Sequence, residues 1–81
     1  MNVEFEDFGN GWIQVFLSMK EDDIDSLIEM LKLLKNNPES HFHLASDYEG
    51  ESGVGDLEIS VQGEDQKDNM QLTGMPIEPT R

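Results

Sequence analysis

The chain has 81 residues, of which 18 are Asp or Glu and 5 are Lys or Arg, so its formal net charge is -13 at pH 7. A chain this short holds one small domain, and its negative charge disfavours binding to the phosphate backbone of nucleic acids. The absence of Cys excludes disulfides, thiolate nucleophiles and Cys-based zinc sites.

The first predicted element is a β-hairpin. Val3 and Phe5 alternate with glutamates before the turn-forming segment 9–11, which reads Gly-Asn-Gly. The partner strand, 12–18, is rich in aromatic and β-branched residues and nearly all apolar. This composition predicts a central position in a sheet, or cover on both faces.

A helix is predicted over 21–35, because the apolar spacing changes to the helical period. Asp22 or Asp23 is expected to cap its start, and Pro38 to end it. Met30 and Leu33 widen the apolar face and suggest a second contact surface. The stripe expected to face the sheet is Ile24, Leu27, Ile28, Leu31 and Leu34.

Two further strands are predicted, over 41–45 and over 56–62, joined by a polar loop. Alternation in the last strand places Leu57, Ile59 and Val61 inward. From Gly63 onward periodicity is lost, which predicts a flexible tail with a short edge segment near 70–72.

The predicted fold is therefore α+β with the order ββαββ: a four-stranded, mostly antiparallel sheet with one helix packed on one face. We expect a single domain over residues 1–62 and a flexible C-terminal tail over residues 63–81. The sequence does not fix the strand order. With one helix available, the other sheet face must be solvated or bind something.

Negative charge is concentrated around the second pair of strands. Residues 39–62 contain six acidic residues and no Lys or Arg. Such clustering destabilises the compact state, so one interpretation is a docking surface for a basic protein. The other is a surface that only keeps the protein in solution, and the two are given equal weight. The acidic residues are Glu39, Asp47, Glu49, Glu51, Asp56 and Glu58.

Two patterns here resemble metal-binding motifs. Asp47, Glu49, Glu51 and Glu58 have the spacing of acidic positions in a calcium loop, but Ser52 stands where Gly is needed and the flanks are predicted strands, so a solvated loop is favoured. His41 and His43 share one strand face, but a third ligand would have to come from Asp56, Glu58 or another acidic residue of the neighbouring strand, and nothing in the spacing enforces this. We therefore predict no metal site and no cofactor.

No catalytic set can be assembled. Ser18, Ser46 and Ser60 lack the context of a nucleophile elbow, and the glycine-rich stretches lack the Lys and following helix of a phosphate-binding loop. The protein is therefore predicted not to be an enzyme. Among large side chains, Trp12, Phe16 and Phe42 are expected in the core, and Tyr48 as an interface anchor.

Four of these segments together resemble small immunity proteins of bacterial polymorphic toxin systems, most nearly immunity family 32. They are the strand 12–18, the helix with Leu27, Leu31 and Leu34, the His-x-His-Leu strand 41–44 and the strand with Leu57, Ile59 and Val61. The likeness spans about residues 3–62. It implies a non-enzymatic antitoxin that binds a cognate toxin domain.

The sequence-based hypothesis is thus a cytoplasmic, acidic protein, monomer or homodimer, that neutralises a basic protein toxin and contacts neither nucleic acid nor membrane. One alternative is a DNA-mimic inhibitor of a DNA-binding protein. Another is a small homo-oligomeric structural module. The residues expected to bind the partner are Asp47, Tyr48, Glu49, Glu51, Asp56 and Glu58.

Overall fold

The computed structural model describes residues 1–74. It contains two strands, one helix and two further strands along the chain, so the predicted α+β class and the ββαββ order are confirmed. The elements are β1 (Asn2–Asp7), β2 (Ile13–Ser18), α1 (Glu21–Asn36), β3 (His41–Ala45) and β4 (Asp56–Ser60).

Strands β1 and β2 form an antiparallel hairpin in which Val3 lies opposite Leu17. The turn between them needs glycine, since φ is 76° at Gly9 and 94° at Gly11, a region that side chains with a Cβ avoid. The Asp7 carboxylate accepts a hydrogen bond of 2.8 Å from the Gly9 N–H. The turn chemistry predicted from the sequence therefore closes this hairpin.

The start of α1 is held by Asp23. Lys20 is the N-cap residue, and its N–H donates to the Asp23 Oδ2 atom at 3.3 Å. The same oxygen lies 2.9 Å from the Met1 ammonium. The hydrogen bond with the ammonium, followed by the one from Lys20, lowers the pKa of Asp23 below its usual 3.8. Neither Asp22 nor Asp23 is the N-cap residue, so that prediction is wrong. Asp23 assists the cap from the third helical position.

The end of α1 is closed by Asn37. Its N–H donates to the Leu34 carbonyl at 3.1 Å, and its side-chain amide donates to the Leu33 carbonyl at 2.9 Å. These bonds satisfy carbonyls that the last helical turn leaves without intrahelical partners. The helix ends before Pro38, as predicted.

Strands β3 and β4 form the second antiparallel hairpin, in which Phe42 lies opposite Ile59 and Leu44 opposite Leu57. Helix α1 packs against β3. Phe42 and Leu34 are the buried apolar side chains of the described residues, at 9% and 7% exposure. The core therefore lies where the last helical turns meet the second hairpin.

The two hairpins are separate two-stranded sheets, so the prediction of one four-stranded sheet is wrong. The predicted central or doubly covered position of β2 is wrong as well, because β2 pairs only with β1 among the described residues. Each hairpin is closed by the segment that connects its own two strands. One four-stranded sheet would also need backbone hydrogen bonds between a strand of the first hairpin and a strand of the second, which lie far apart in the chain.

The open arrangement leaves much of the predicted core accessible to solvent. On α1, Leu27 is half-buried, but Ile28 and Leu31 are each 44% exposed. Trp12 lies in the first turn and is 72% exposed, so its predicted core position is wrong. The predicted stripe of α1 is therefore covered mainly at its C-terminal end.

Residues 61–74 contain neither helix nor strand, so the edge segment predicted near 70–72 is wrong. Strand β4 ends at Ser60, two residues earlier than predicted, and Val61 is exposed. Residues 75–81 lie outside the described part of the chain. The division into a domain and a flexible tail stays a prediction.

Candidate functional site: the outer face and loop of the second hairpin

The second hairpin has one apolar face and one charged face. Side chains alternate along each strand, so Phe42, which is buried where β3 contacts α1, shares one face with Leu44, and their neighbours lie on the other face. The register places His43 directly opposite Glu58. We call the side facing away from α1 the outer face; it carries His41, His43, Asp56 and Glu58.

These four side chains form one connected cluster. His43 Nδ1 lies 2.9 Å from Asp56 Oδ2, and His43 Nε2 lies 3.7 Å from Glu58 Oε1. His41 Nε2 lies 3.9 Å from the same Glu58 oxygen. The two imidazole rings meet edge to face, with centroids 4.9 Å apart. All four side chains are partly exposed, so the cluster is accessible from solvent.

The loop between β3 and β4 is held by short-range hydrogen bonds. Ser46 Oγ accepts from the Tyr48 N–H at 2.9 Å, and the Asp47 carboxylate accepts from the Glu49 N–H at 3.1 Å. The Ser46 N–H donates to the Gly55 carbonyl at 2.9 Å, which closes the base of the loop. The loop therefore has a defined backbone path.

Tyr48 has an unusual backbone conformation at this loop. Its φ is 60°, the only positive value at a non-glycine residue of the described chain. Its side chain is 72% exposed, and the ring passes so close to Gly55 that a Cβ there would lie 2.8 Å from Tyr48 Cε1. A bulky residue held at positive φ is sterically strained, and such strain concentrates at functional positions.

The calcium-loop spacing does not correspond to a calcium loop in the structure. Glu58 would have to turn into the loop as the last ligand, but it lies within β4 with its carboxylate beside the two histidines. The flanking elements are strands, where an EF-hand has helices. This geometry agrees with the prediction from the sequence, which favoured a solvated hairpin loop over a calcium loop.

The residues predicted to bind a partner thus fall into two groups on one hairpin. Asp56 and Glu58 lie on the outer face, bound to histidines, whereas Asp47, Tyr48 and Glu49 lie in the loop, together with Glu51. The sequence did not assign His41 or His43 to this site. Their spacing of two and the acidic residues of the neighbouring predicted strand were the available signals, but the register of β3 against β4 was needed to show which of those acidic residues they meet.

Helix α1, the one helix within residues 1–74, is not long and apolar enough to cross a bilayer. Comparisons with protein-family models, with curated proteins and with solved structures find no match to this chain. The resemblance to immunity proteins therefore stays a prediction from the residues.

Proposed function

We propose that the chain is a non-enzymatic, cytoplasmic immunity protein that neutralises a basic protein toxin through the outer face and loop of its second hairpin. The observation that carries the proposal is the concentration of acidic side chains on this one hairpin, where no Lys or Arg occurs. The resemblance of residues 3–62 to immunity proteins supports the same function.

The charge distribution favours a cationic partner. The five carboxylates of the site come from one hairpin, and the nearest basic residues in the sequence are Lys35 and Lys67. Such a field attracts a basic surface and can raise association rates by roughly 10–10³-fold at low ionic strength. The same negative field repels the phosphate backbone of nucleic acids, so a basic protein is the favoured partner.

Tyr48 supplies an aromatic anchor within this field. Its ring is largely exposed, beside Glu49, and its backbone is held by the hydrogen bond to Ser46. Tyr is enriched among residues that dominate binding energy, because it buries a large area at a small cost in side-chain entropy. An ordered loop that presents an exposed ring suits recognition by preformed shape.

A matched pair of charge reversals tests the electrostatic part of the proposal. In one variant Glu49→Lys and Glu51→Lys are combined; in the control, Glu4→Lys and Glu6→Lys are combined on β1, where the two glutamates have the same spacing and are also exposed. The adjacent gene is sequenced first, and where it encodes a basic toxin-like domain, the association rate of each variant with that domain is measured by stopped flow at several salt concentrations.

We expect the loop variant to associate at least about 10-fold more slowly at low salt, with the difference shrinking at high salt because ions screen the field. The association rate of the β1 control should fall much less. Equal losses in both variants would show that only net charge matters, and an unchanged rate for the loop variant would remove the loop from the interface. Competition by duplex DNA would indicate a DNA mimic instead.

The first hairpin favours a second candidate, a homo-oligomeric module. Phe5 and Val15 lie opposite each other on β1 and β2 and are 45% and 44% exposed. A second copy could cover this apolar face without using the acidic loop. Sedimentation velocity at micromolar concentration tests it: a dimer weakened by Val15→Glu supports self-association, whereas a monomer excludes it.

A further inference from the structure

We propose that the outer face of the second hairpin binds a divalent transition-metal ion, with Zn²⁺ as the preferred ion. Its ligands are His41, His43 and Glu58, and Asp56 orients His43. This revises the prediction of no metal site. It does not rest on the proposed function, because it concerns the isolated chain.

The donor atoms already surround one point. Within the described residues, one ligand atom from each of His41, His43 and Glu58 lies within 4.8 Å of the other two. The Glu58 oxygen is 3.7 Å from one imidazole nitrogen and 3.9 Å from the other. Ligands of a tetrahedral zinc ion, bound at about 2.0–2.1 Å, lie roughly 3.3–3.4 Å apart. The Glu58 oxygen would have to approach each imidazole nitrogen by about half an ångström, and the two histidine ligand atoms, which lie within 4.8 Å of each other, would have to close as well. The side chains are partly exposed, so rotations about their χ angles can bring the ligands together.

The environment of His43 favours a ligand role. Both Asp56 carboxylate oxygens lie near its Nδ1, at 2.9 and 3.1 Å. A neutral imidazole that donates its Nδ1–H to this carboxylate has a lone pair on Nε2, the nitrogen that faces Glu58. Ligating histidines in metal sites commonly have such a carboxylate partner, which fixes the tautomer and makes the nitrogen more basic.

The ligand types select the metal class. Two imidazoles and one carboxylate suit zinc and its neighbours, whereas calcium and magnesium prefer oxygen ligands alone. The ligands come from both strands, so a bound ion would cross-link β3 to β4. The exposure of His41 and Glu58, 52% and 55%, leaves the fourth coordination position open to solvent.

The test is calorimetric titration of the purified chain with Zn²⁺ in the presence of excess Mg²⁺, which occupies carboxylates that attract divalent ions only by charge. A parallel titration with Co²⁺ reports tetrahedral coordination through its visible absorption. The variants are Glu58→Gln, which removes a ligand, and Asp56→Asn, which removes the orienting carboxylate. The matched control is Glu49→Gln, which removes one loop glutamate outside the cluster.

We expect one Zn²⁺ per chain, an affinity loss of about 10–100-fold for Asp56→Asn, a larger loss for Glu58→Gln, and unchanged affinity for Glu49→Gln. The thermal midpoint should rise with Zn²⁺ in the unmodified chain and in the control, since an ion that binds only the folded hairpin stabilises it. Binding that Mg²⁺ abolishes, or equal losses in all three variants, would overturn the proposal. So would the absence of saturable binding, with circular dichroism showing that the chain is folded.

Discussion

Truncation of Phe42 tests whether α1 and the second hairpin form the core on their own. Phe42 is 9% exposed and lies on β3 at the contact with α1, whereas Phe5, on β1, is 45% exposed. Truncating a buried Phe to Ala costs about 3–5 kcal/mol, from lost burial and from the cavity left behind. Truncating Phe5 removes about half as much buried surface and leaves no enclosed cavity, so about 1 kcal/mol is expected.

These costs are large for a chain of this size, whose total stability is about 4–12 kcal/mol. With a urea dependence of about 1 kcal/mol per molar, the unfolding midpoint should fall by roughly 3–5 M for Phe42→Ala and by about 1 M for Phe5→Ala. Circular dichroism at the helix wavelength reports the transition, since α1 is the one helix of residues 1–74. If Phe42→Ala does not fold, Phe42→Leu gives the same comparison at smaller cost.

Comparable losses at the two positions would refute the reasoning. They would mean that the apolar face of the first hairpin is buried as deeply as Phe42, as it would be in one four-stranded sheet covered by α1. A loss confined to Phe42 would place the core between α1 and the second hairpin, with the first hairpin as an accessory element.

Two further predictions concern local features. Tyr48→Gly should raise the free energy of unfolding by about 1 kcal/mol, because it relieves the cost of positive φ while removing a mostly exposed ring; a lower value in urea titrations would contradict the strain. Asp23 has a lowered pKa in the folded chain, so it stabilises the fold above its unfolded value, near 3.8, and this contribution is lost as pH falls through the lower folded pKa. Asp23→Asn should therefore flatten the pH dependence of the unfolding free energy below pH ~4, and an unaltered slope would show that Asp23 has no such role.

The element types were predictable because they depend on nearby residues. Alternating apolar residues around the turn 9–11 specify the first hairpin, and the same reasoning gave β3 its observed bounds, His41–Ala45. The helix extends one residue beyond the predicted Lys35. Its end is set by Asn37 and Pro38, whose hydrogen-bonding and steric effects act over a few residues.

The candidate site was predictable only in part. Charge counting found the acidic residues of the second hairpin. Tyr48 was predicted to be an interface anchor; its side chain is 72% exposed, and the anchor role stays a prediction. The role of Gly55 in making room for the Tyr48 ring was not predictable, because it depends on how the loop folds back. The positive φ of Tyr48 was not predictable either, because tyrosine does not favour that conformation.

The sequence by itself determined the order ββαββ, the turn of the first hairpin and the excess of carboxylates around β3 and β4, since each depends on residues close together in the chain. Only the tertiary structure decided that the hairpins form separate sheets and that Glu58 meets His41 and His43. Both depend on pairing across long separations: the register of β3 against β4 follows from the path of the loop between them, and a shift of one residue would turn Glu58 to the opposite face.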